Sequence, residues 1–338
     1  TSVMTNYIPV FIFMYTFLLS GENVNLAKEE VLALSGAKEY CLEDRILVFE
    51  AKKFDFERLA YTHKVYELLL KAKPTELMEE IKKVEFQKYY KKSFRARVIK
   101  IPSDLKIAYN EKLIGSLIWG KLKKPKVDLQ NAKTNFDFIF TKNNVYVCLE
   151  LCKIDRGNFR ERDAKFRPGF HPSTMNAIFA RALVNLSRIE ENKSLLDPFC
   201  GVGAILIEAG ILNCKVTGND IDKYIMLRCK KNLEHYKIKN YVLKNGDALK
   251  IKKLKMDAIV TDLPYGRHSS LHGADIQDLY NKFMDKSHEL LKNNGRMVIV
   301  MPSNIEIKTG GFKVRAEILN RIHKGLTRKI VVLEKSYP

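Results

Sequence analysis

The pattern of hydrophobic and polar positions predicts a chain built in two parts. In the first part, short apolar or alternating runs are typical of strands with at least one buried face. These predicted strands are 15–19, 45–50, 93–101, 135–140 and 145–149. Segments with apolar residues at helical spacing predict helices at 25–34, 54–70, 75–84 and 110–121. The first part is therefore expected to be α+β, with a hairpin turn at residues 142–144.

The second part alternates helices and strands from residue 175 onwards. A strand beginning at Ser194 runs into a glycine-rich turn and then a helix up to Gly210. Further strands are predicted at 214–219, 241–244, 256–261 and 296–302, helices at 175–189, 223–236 and 277–291, and an antiparallel pair at 312–322 and 326–334. Ser173 or Thr174 is expected to cap the first helix. Strands separated by helices form a parallel sheet covered on both faces, so an α/β fold is predicted.

Residues 155–168 show no periodicity, and more than half of them are charged. This composition is typical of a linker, so the domain boundary is placed there. The resulting division is 14–74, 75–154, a linker at 155–168, and 169–338. Residues 1–13 are interpreted as an upstream extension, either poorly ordered or packed as an extra edge segment.

The chain has 338 residues and a formal net charge of +20. A protein this basic usually binds a polyanion, and nucleic acid fits better than a membrane surface. Seven basic residues interleaved with aromatic side chains are candidates for phosphate contacts: Lys91, Lys92, Arg95, Lys121, Lys123, Lys124 and Lys126. For any single lysine a solvated surface is the better interpretation, whereas the set as a whole favours binding.

The six cysteines form no C-x-x-C pair and have no histidine at ligand spacing. Neither a disulfide framework nor a metal site is predicted, and reduced thiols are typical of a cytoplasmic protein. The apolar run 7–19 is too short to span a bilayer, and no basic residue precedes it as in a signal peptide. No membrane association is expected.

The candidate catalytic motif is Asp262-Leu-Pro-Tyr-Gly266, which follows a predicted buried strand. Ligands of such sheets bind beyond the carboxyl ends of the strands. A carboxylate from Asp262 and the carbonyl of Leu263 could accept both protons of an exocyclic amino group and so localise its lone pair. Pro264 restricts the preceding backbone, and the ring of Tyr265 could stack on a base.

Gly201 and Gly203 form a short glycine motif that is weak support by itself. Asp220, however, ends the next strand 19 residues after Gly201, the separation at which a carboxylate binds a ribose diol. Asp247 follows the third strand and could face an adenine amino group.

Four motifs in this order resemble those of class I S-adenosylmethionine-dependent methyltransferases. They are Asp197-Pro-Phe-Cys-Gly-Val-Gly203, Gly218-Asn-Asp-Ile-Asp222, Asn245-Gly-Asp-Ala248 and Asp262-Leu-Pro-Tyr-Gly266. The last is similar to the D/N-P-P-Y/F motif of enzymes that methylate exocyclic amino groups. Leu263 replaces the usual first proline, which keeps the carbonyl and leaves the local rigidity in question.

Residues 14–74 resemble a ferredoxin-like domain and 75–154 a THUMP RNA-binding domain. Together with Arg167-Pro-Gly-Phe-His-Pro-Ser-Thr174, they make the chain similar to archaeal THUMP-domain tRNA (guanine-N2)-methyltransferases, with the guanine-10 branch nearest. The resemblance implies S-adenosylmethionine as cofactor and tRNA as partner, with no DNA expected. It assigns to the cofactor site Phe170, His171, Pro172, Ser173, Asp197, Gly201, Gly203, Asp220, Ile221, Asp247 and Ala248.

Several alternatives stay open at this stage. The guanine-6 enzyme shares the same layout, and the catalytic motif also serves ribosomal RNA or DNA amino-methyltransferases. An RNA-binding protein with an inactive methyltransferase fold is the alternative from another functional class. The sequence also leaves open the number of methyl groups added, the oligomeric state and the need for a small activator protein.

Overall fold

The computed structural model describes residues 13–172, 174–252, 254–265, 273–323 and 326–336. The chain divides into two compact units. Unit 1 comprises residues 1–24, 35–57 and 62–154, and unit 2 comprises 25–34, 58–61 and 155–338. Among the residues described, no helix has the length and apolar composition needed to cross a membrane.

Unit 1 contains a seven-stranded sheet in the order β2-β3-β1-β4-β7-β6-β5. Its strands are β1 (Phe13–Leu19), β2 (Cys41–Glu43), β3 (Ile46–Ala51), β4 (Thr62–Ala72), β5 (Phe94–Lys100), β6 (Thr134–Phe140) and β7 (Val145–Lys153). All neighbours are antiparallel except β5 and β6. The predicted segments 14–74 and 75–154 therefore contribute strands to one continuous sheet.

The helix predicted at 54–70 is wrong, because most of that segment is strand β4. Leucine, glutamate and lysine in this stretch favour a helix locally. In the fold, however, β4 is a central strand whose two edges pair with β1 and β7, and this pairing overrides local propensity.

The helices of unit 1 are short. The helix predicted at 75–84 is broken into α2 (Leu77–Glu80) flanked by 3-10 turns, and α3 (Phe86–Tyr89) follows it. The prediction at 110–121 is confirmed as α4 (Glu111–Trp119), which Asn110 caps by accepting from the Leu113 amide at 2.9 Å. These helices pack on a core rich in phenylalanine, including Phe86, Phe136 and Phe138.

Unit 2 contains the predicted α/β sheet, in the order β10-β9-β8-β11-β12-β14-β13. Its strands are β8 (Ser194–Asp197), β9 (Lys215–Asp220), β10 (Tyr241–Asn245), β11 (Met256–Asp262), β12 (Leu291–Pro302), β13 (Phe312–His323) and β14 (Leu326–Lys335). The first five in this order are parallel, and β14 and β13 complete the sheet as an antiparallel pair.

Of the helices described in unit 2, three precede its first parallel strand and three connect parallel strands. In chain order they are α1 (Val24–Ser35), whose residues 25–34 belong to this unit, α5 (Gly157–Arg160), α6 (Ala177–Leu186), α7 (Ala204–Ile211), α8 (Lys223–His235) and α9 (Gly273–Leu290). The expected cap of α6 is wrong: Asn176, and not Thr174, accepts from the Phe179 amide at 2.8 Å. Ser173 lies outside the described residues.

The predicted linker 155–168 is also wrong, because the segment belongs to unit 2, where Arg162 pairs with a buried carboxylate and Arg167 is itself buried. Arg162 donates to Glu208 at 2.8 Å, and Arg181 contacts the same fully buried carboxylate at 2.9 Å. Arg167 is 3% exposed and donates to the Arg162 carbonyl at 2.9 Å. A high density of charge therefore marks a buried ion-pair network here instead of a solvated linker.

Residues 25–34 of α1 are joined to the rest of unit 2 by a buried carboxylate. Glu30 accepts from the amides of Ala60 at 2.9 Å and Tyr61 at 2.8 Å, and from Asn185 Nδ2 at 2.7 Å. Burial raises the pKa of Glu30, which these hydrogen bonds and the charge of Arg181 oppose. Unit 2 is thus completed by segments that precede residue 155 in the chain.

Candidate active site

Four parallel strands of unit 2 end at one edge of the sheet, and each end carries a polar residue. β8 ends at Asp197, β9 at Asp220, β10 at Asn245 and β11 at Asp262. The strands are neighbours in the order β10-β9-β8-β11, so these side chains follow one another along the edge. This is the edge at which sheets of this class bind ligands.

Asp197 is a buried carboxylate at the centre of that edge. Its Oδ1 accepts from Thr261 Oγ1 at 2.7 Å and from the Phe199 amide at 3.2 Å. Burial raises the pKa of Asp197 to about 7, against the effect of these two hydrogen bonds, and the charges of Asp220 and Asp262 add to the rise. A cationic ligand group beside Asp197 would therefore bind much more tightly to the ionised carboxylate than to the protonated carboxyl group.

The loop after β8 needs glycine at two positions. Gly201 and Gly203 have φ values of +50° and +87°, in the left-handed region that side chains with a Cβ rarely adopt. A Cβ on Gly203 would also lie 2.7 Å from Cys229 Sγ. The turn thus brings backbone amides to the start of α7, where an anionic or polar ligand group can approach closely.

Asp220 is held in a fixed orientation by the backbone. Its Oδ2 accepts from the Gly201 amide at 3.0 Å, and its Oδ1 accepts from the Asp222 amide at 3.0 Å. The sequence-predicted pair of Gly201 and Asp220 is therefore in direct contact. Each carboxylate oxygen keeps a further lone pair, which is the acceptor capacity that a ribose diol requires.

Two asparagines that sequence reasoning missed tie the loops of this edge together. Asn219 Nδ2 donates to the carbonyls of Pro198 at 3.1 Å and Gly246 at 2.9 Å. Asn245 Nδ2 donates to the carbonyls of Asp220 at 2.8 Å and Ile221 at 2.9 Å. Their positions inside the quoted motifs were visible, but an asparagine at a strand end looks like an ordinary turn residue.

Asp247 and Ala248, the residues assigned to adenine, follow β10, and Ile221, assigned to the cofactor site, follows β9. Asp247 caps the 3-10 turn beginning at Ala248, with Oδ1 accepting from the Leu249 amide at 2.9 Å. Ile221 is 78% exposed, so its side chain is accessible to a ligand bound at this edge.

The segment before α6 reaches the glycine loop through Asn232. Asn232 Oδ1 accepts from the Gly169 amide at 2.7 Å, and its Nδ2 donates to the Val202 carbonyl at 2.8 Å. Phe170, about half exposed, follows at once, and Arg228 donates to its carbonyl at 3.2 Å. His171 and Pro172 continue the same turn. Asn232 was not predicted, because it lies on a helix far from both motifs.

Asp262 is surrounded by two partners. The Tyr265 hydroxyl donates a short hydrogen bond to Asp262 Oδ1, and Arg328 Nη1 lies 3.7 Å from Oδ2. Burial raises the pKa of Asp262, opposed by Arg328 and by Tyr265. Burial and the charge of Asp262 raise the pKa of Tyr265, so its hydroxyl stays protonated and donates.

Leu263 stands where the D/N-P-P-Y/F motif has its first proline, and hydrogen bonding and packing hold its backbone in place. Its amide donates to the Val300 carbonyl at 2.9 Å, a bond that proline could not make, and its side chain is buried in the core. Tyr280 donates to the carbonyl of Pro264 at 2.9 Å. Among the residues described, no hydrogen bond ends on the Leu263 carbonyl. Gly266 lies outside the described residues.

In unit 1 the structure brings two predicted basic segments together. Tyr90 links them, because its hydroxyl donates to the Lys92 carbonyl at 2.9 Å and accepts from the Lys126 amide at 3.1 Å. Exposed ammonium groups of this surface, here called the lysine surface, belong to Lys91, Lys92, Lys123, Lys124 and Lys126. Lys121 instead donates to the carbonyls of Lys82 and Val84, and Arg95 is only partly exposed.

Comparison with known proteins identifies the relatives of the chain. The family described as UPF0020, RMKL-like, methyltransferase domain, matches residues 164–330. A tRNA (guanine(10)-N2)-dimethyltransferase of Methanothermobacter thermautotrophicus is 33% identical over 82% of this chain and 84% of that protein. A Pyrococcus abyssi protein of the same name is 31% identical over 91% of this chain and 96% of that protein.

A more distant relative is the tRNA (guanine(6)-N2)-methyltransferase of Methanocaldococcus jannaschii, 26% identical over 48% of this chain and 54% of that protein. Among solved structures, TrmN from Thermus thermophilus aligns with a TM-score of 0.53 and 17% identity, covering 95% of this chain and 99% of that one. This likeness confirms a Rossmann-like methyltransferase fold. With identity above 30% over most of both chains, the protein belongs to the family of archaeal tRNA (guanine(10)-N2)-dimethyltransferases.

Proposed function

We propose that the protein methylates the exocyclic N2 amino group of guanine 10 in tRNA, using S-adenosylmethionine. The observation that carries this proposal is the Asp262-Leu263-Pro264-Tyr265 turn at the end of β11. A carboxylate, a carbonyl and an aromatic ring meet there beside the glycine loop. Guanine 10 is preferred to guanine 6 because the guanine-10 relatives align over most of the chain and the guanine-6 relative over about half.

The cofactor site is formed by residues that fit S-adenosylmethionine chemically. The buried Asp197 carboxylate suits the charged methionine end, and the oriented Asp220 carboxylate suits the ribose diol. Ile221 and Phe170 offer exposed apolar surface for the adenine ring, with Asp247 at its edge. When bound, S-adenosylmethionine supplies an electrophilic methyl group carried on a sulfonium.

Catalysis by the protein is positioning together with localisation of a lone pair. Asp262 Oδ1 and the Leu263 carbonyl accept the two N2 protons of guanine, which directs the nitrogen lone pair out of conjugation with the ring. The Tyr265 hydroxyl occupies Oδ1 in the free protein and must leave it when the base arrives. Its ring then stacks on the extruded base.

The proton released from N2 passes to Asp262 or to water as the new N–C bond forms. Asp262 is suited to accept it late, because burial has raised its pKa above that of an exposed aspartate.

Unit 1 is proposed to dock tRNA as a ferredoxin-like and THUMP module. The lysine surface supports this role, because Tyr90 holds its two segments together and its ammonium groups are exposed. Such contacts position a phosphate backbone without reading bases, so guanine selection falls to unit 2. The proposed setting is the cytoplasm, where tRNA is available.

One incubation tests the proposal. Unmodified tRNA transcript is mixed with methyl-labelled S-adenosylmethionine and the protein, and the product is digested to identify the labelled nucleoside and its position. We expect N2-methylated guanosine at position 10. A transcript with inosine at position 10, which lacks the amino group, is the control and should stay unlabelled. Label in adenine, in cytosine or at guanine 6 would contradict the proposal.

A further inference from the structure

Arg328 lies next to the catalytic carboxylate but belongs to none of the motifs. It is on β14, at the register where β14 pairs with Pro302 of β12 and Asn320 of β13. Its Nη1 is 3.7 Å from Asp262 Oδ2, and its guanidinium carbon is 5.3 Å from the centre of the Tyr265 ring. Backbone pairing on both edges of the strand fixes the position from which this side chain extends.

The guanidinium of Arg328 has at least one N–H donor without a partner among the described residues. The contact with Asp262 is too long for a direct hydrogen bond, so it is an electrostatic contact only. Its Nε is buried and has no hydrogen-bond partner among the residues described. A guanidinium has five N–H donors, and a partly buried one without partners is costly unless a ligand completes its hydrogen bonds.

Asp262 and Arg328 together present a row of acceptor, acceptor and donor groups. The Watson–Crick edge of guanine presents the complementary row: the N2 and N1 protons are donors, and O6 is an acceptor. Adenine and cytosine would each place a ring-nitrogen acceptor against a carboxylate oxygen, which is repulsive. Guanine alone among the four bases offers two adjacent donors and a carbonyl on this edge.

We propose that Arg328 selects guanine by donating a hydrogen bond to O6, while Asp262 accepts one N2 proton through Oδ1 and the N1 proton through Oδ2. The second N2 proton stays with the Leu263 carbonyl. This inference rests on the proposed function and adds the residue that distinguishes guanine from other bases with an amino group. Arg328 also opposes the rise in the pKa of Asp262 and so keeps the carboxylate an acceptor.

The test compares single-turnover methyl transfer to two tRNA transcripts, one with guanine and one with 2-aminopurine at position 10. 2-Aminopurine keeps the amino group but lacks O6 and the N1 proton. The wild-type protein should prefer guanine strongly. Arg328→Ala should lower this preference roughly 10- to 100-fold, the range of one good hydrogen-bonded base contact.

Three further variants complete the design. Arg328→Lys keeps a cationic donor and should retain part of the preference. Arg328→Met keeps the apolar stem and should behave like the alanine variant, which guards against an effect of lost packing. Arg321→Ala, on an exposed arginine of β13, should leave the preference unchanged. Cofactor affinity, measured by calorimetry, should be the same for all.

Two different outcomes would overturn the inference. If Arg328→Ala and Arg328→Met slow both transcripts by the same factor, so that the preference is unchanged, Arg328 does not read the base and the inference is overturned. If the wild-type protein leaves the guanine transcript unmethylated, the proposed function itself fails and this inference fails with it.

Discussion

Asp197 makes cofactor binding sensitive to pH at the scale of a single residue. Its pKa in the free protein is about 7, raised mainly by burial. If the ionised form binds the cationic end of the cofactor, affinity should increase as pH rises towards 7 and fall below it, by up to about tenfold per pH unit. Calorimetric titration between pH 5.5 and 7.5 measures this. Asp197→Asn, which cannot ionise, should bind weakly with no such slope, and a wild-type affinity independent of pH would contradict the assignment.

Tyr265 lowers the pKa of Asp262 through its hydroxyl, in addition to its proposed role in stacking. Sequence reasoning predicts that Tyr265→Phe is nearly silent, since the ring alone stacks. The structure adds the hydroxyl bond to Asp262, which opposes the rise in the carboxylate pKa. Removing the hydroxyl should therefore raise that pKa further and move the acid limb of the rate to higher pH, with the rate at high pH little changed.

The measurement is the pH profile of methyl transfer at tRNA concentrations well below saturation, for wild-type and Tyr265→Phe proteins. Under these conditions the profile reports the free protein, in which the hydroxyl is bound to Asp262. Tyr224→Phe, an exposed tyrosine on α8, is the matched control and should leave the profile unchanged. Identical acid limbs for wild type and Tyr265→Phe would show that the hydroxyl does not stabilise the ionised carboxylate.

The site residues at the carboxyl ends of the parallel strands could be predicted from sequence where they belong to recognisable motifs. Asp197, Gly201, Asp220 and Asp262 lie together because motif spacing and strand ends determine their positions. Arg328 could not be predicted in the same way. It lies near Asp262 only because β14 pairs with β12. The register of these two strands cannot be predicted from the local sequence of either one.

At the scale of elements, α1 is predicted to stabilise unit 2 through Glu30. Glu30→Ala would leave the buried amides of Ala60 and Tyr61 without acceptors, at a cost of about 2–4 kcal/mol. The measurement is thermal unfolding, with the transition of unit 2 identified as the one that S-adenosylmethionine shifts.

Glu29→Ala supplies the control for this experiment. Glu29 is the adjacent residue on α1 and pairs with Lys28 near the surface, so its loss should change stability by less than about 0.5 kcal/mol. Equal stability of the Glu30 and Glu29 variants would mean that α1 contributes nothing specific to unit 2.

Elements of unit 2 were predicted more accurately than those of unit 1. The alternation of buried strands and amphipathic helices predicted β8 to β11 close to their observed bounds, whereas β12 begins five residues and α9 four residues before the predicted start. In unit 1, the residues of β4 have high helix propensity, and the segment forms a strand because it pairs with β1 and β7. The segment 155–168 failed for a related reason, because the carboxylate of Glu208 that pairs with Arg162 lies 46 positions further along the chain.

For the whole molecule, the division of labour between the units predicts a salt-dependent affinity for tRNA. If the lysine surface binds phosphates, charge reversal to glutamate at Lys123, Lys124 and Lys126 should lower the slope of log affinity against log salt by about two to three. The affinity for S-adenosylmethionine should not change. The same reversal at Lys38, Lys52 and Lys53, exposed lysines elsewhere in unit 1, is the control. An unchanged slope in the first variant would show that the lysine surface is solvated and does not bind the phosphates of tRNA.

Asp262 is proposed to hold the guanine amino group for methyl transfer. The measurement that tests it most directly is single-turnover methyl transfer to unmodified tRNA by Asp262→Ala and Asp262→Asn, with Asp278→Ala, an exposed aspartate of α9, as control. Both Asp262 variants should be slower by roughly 10²–10⁴, the range for a positioned acid–base group, with tRNA and cofactor affinities little changed. An Asp262→Ala protein that transfers the methyl group at the wild-type rate would contradict the account.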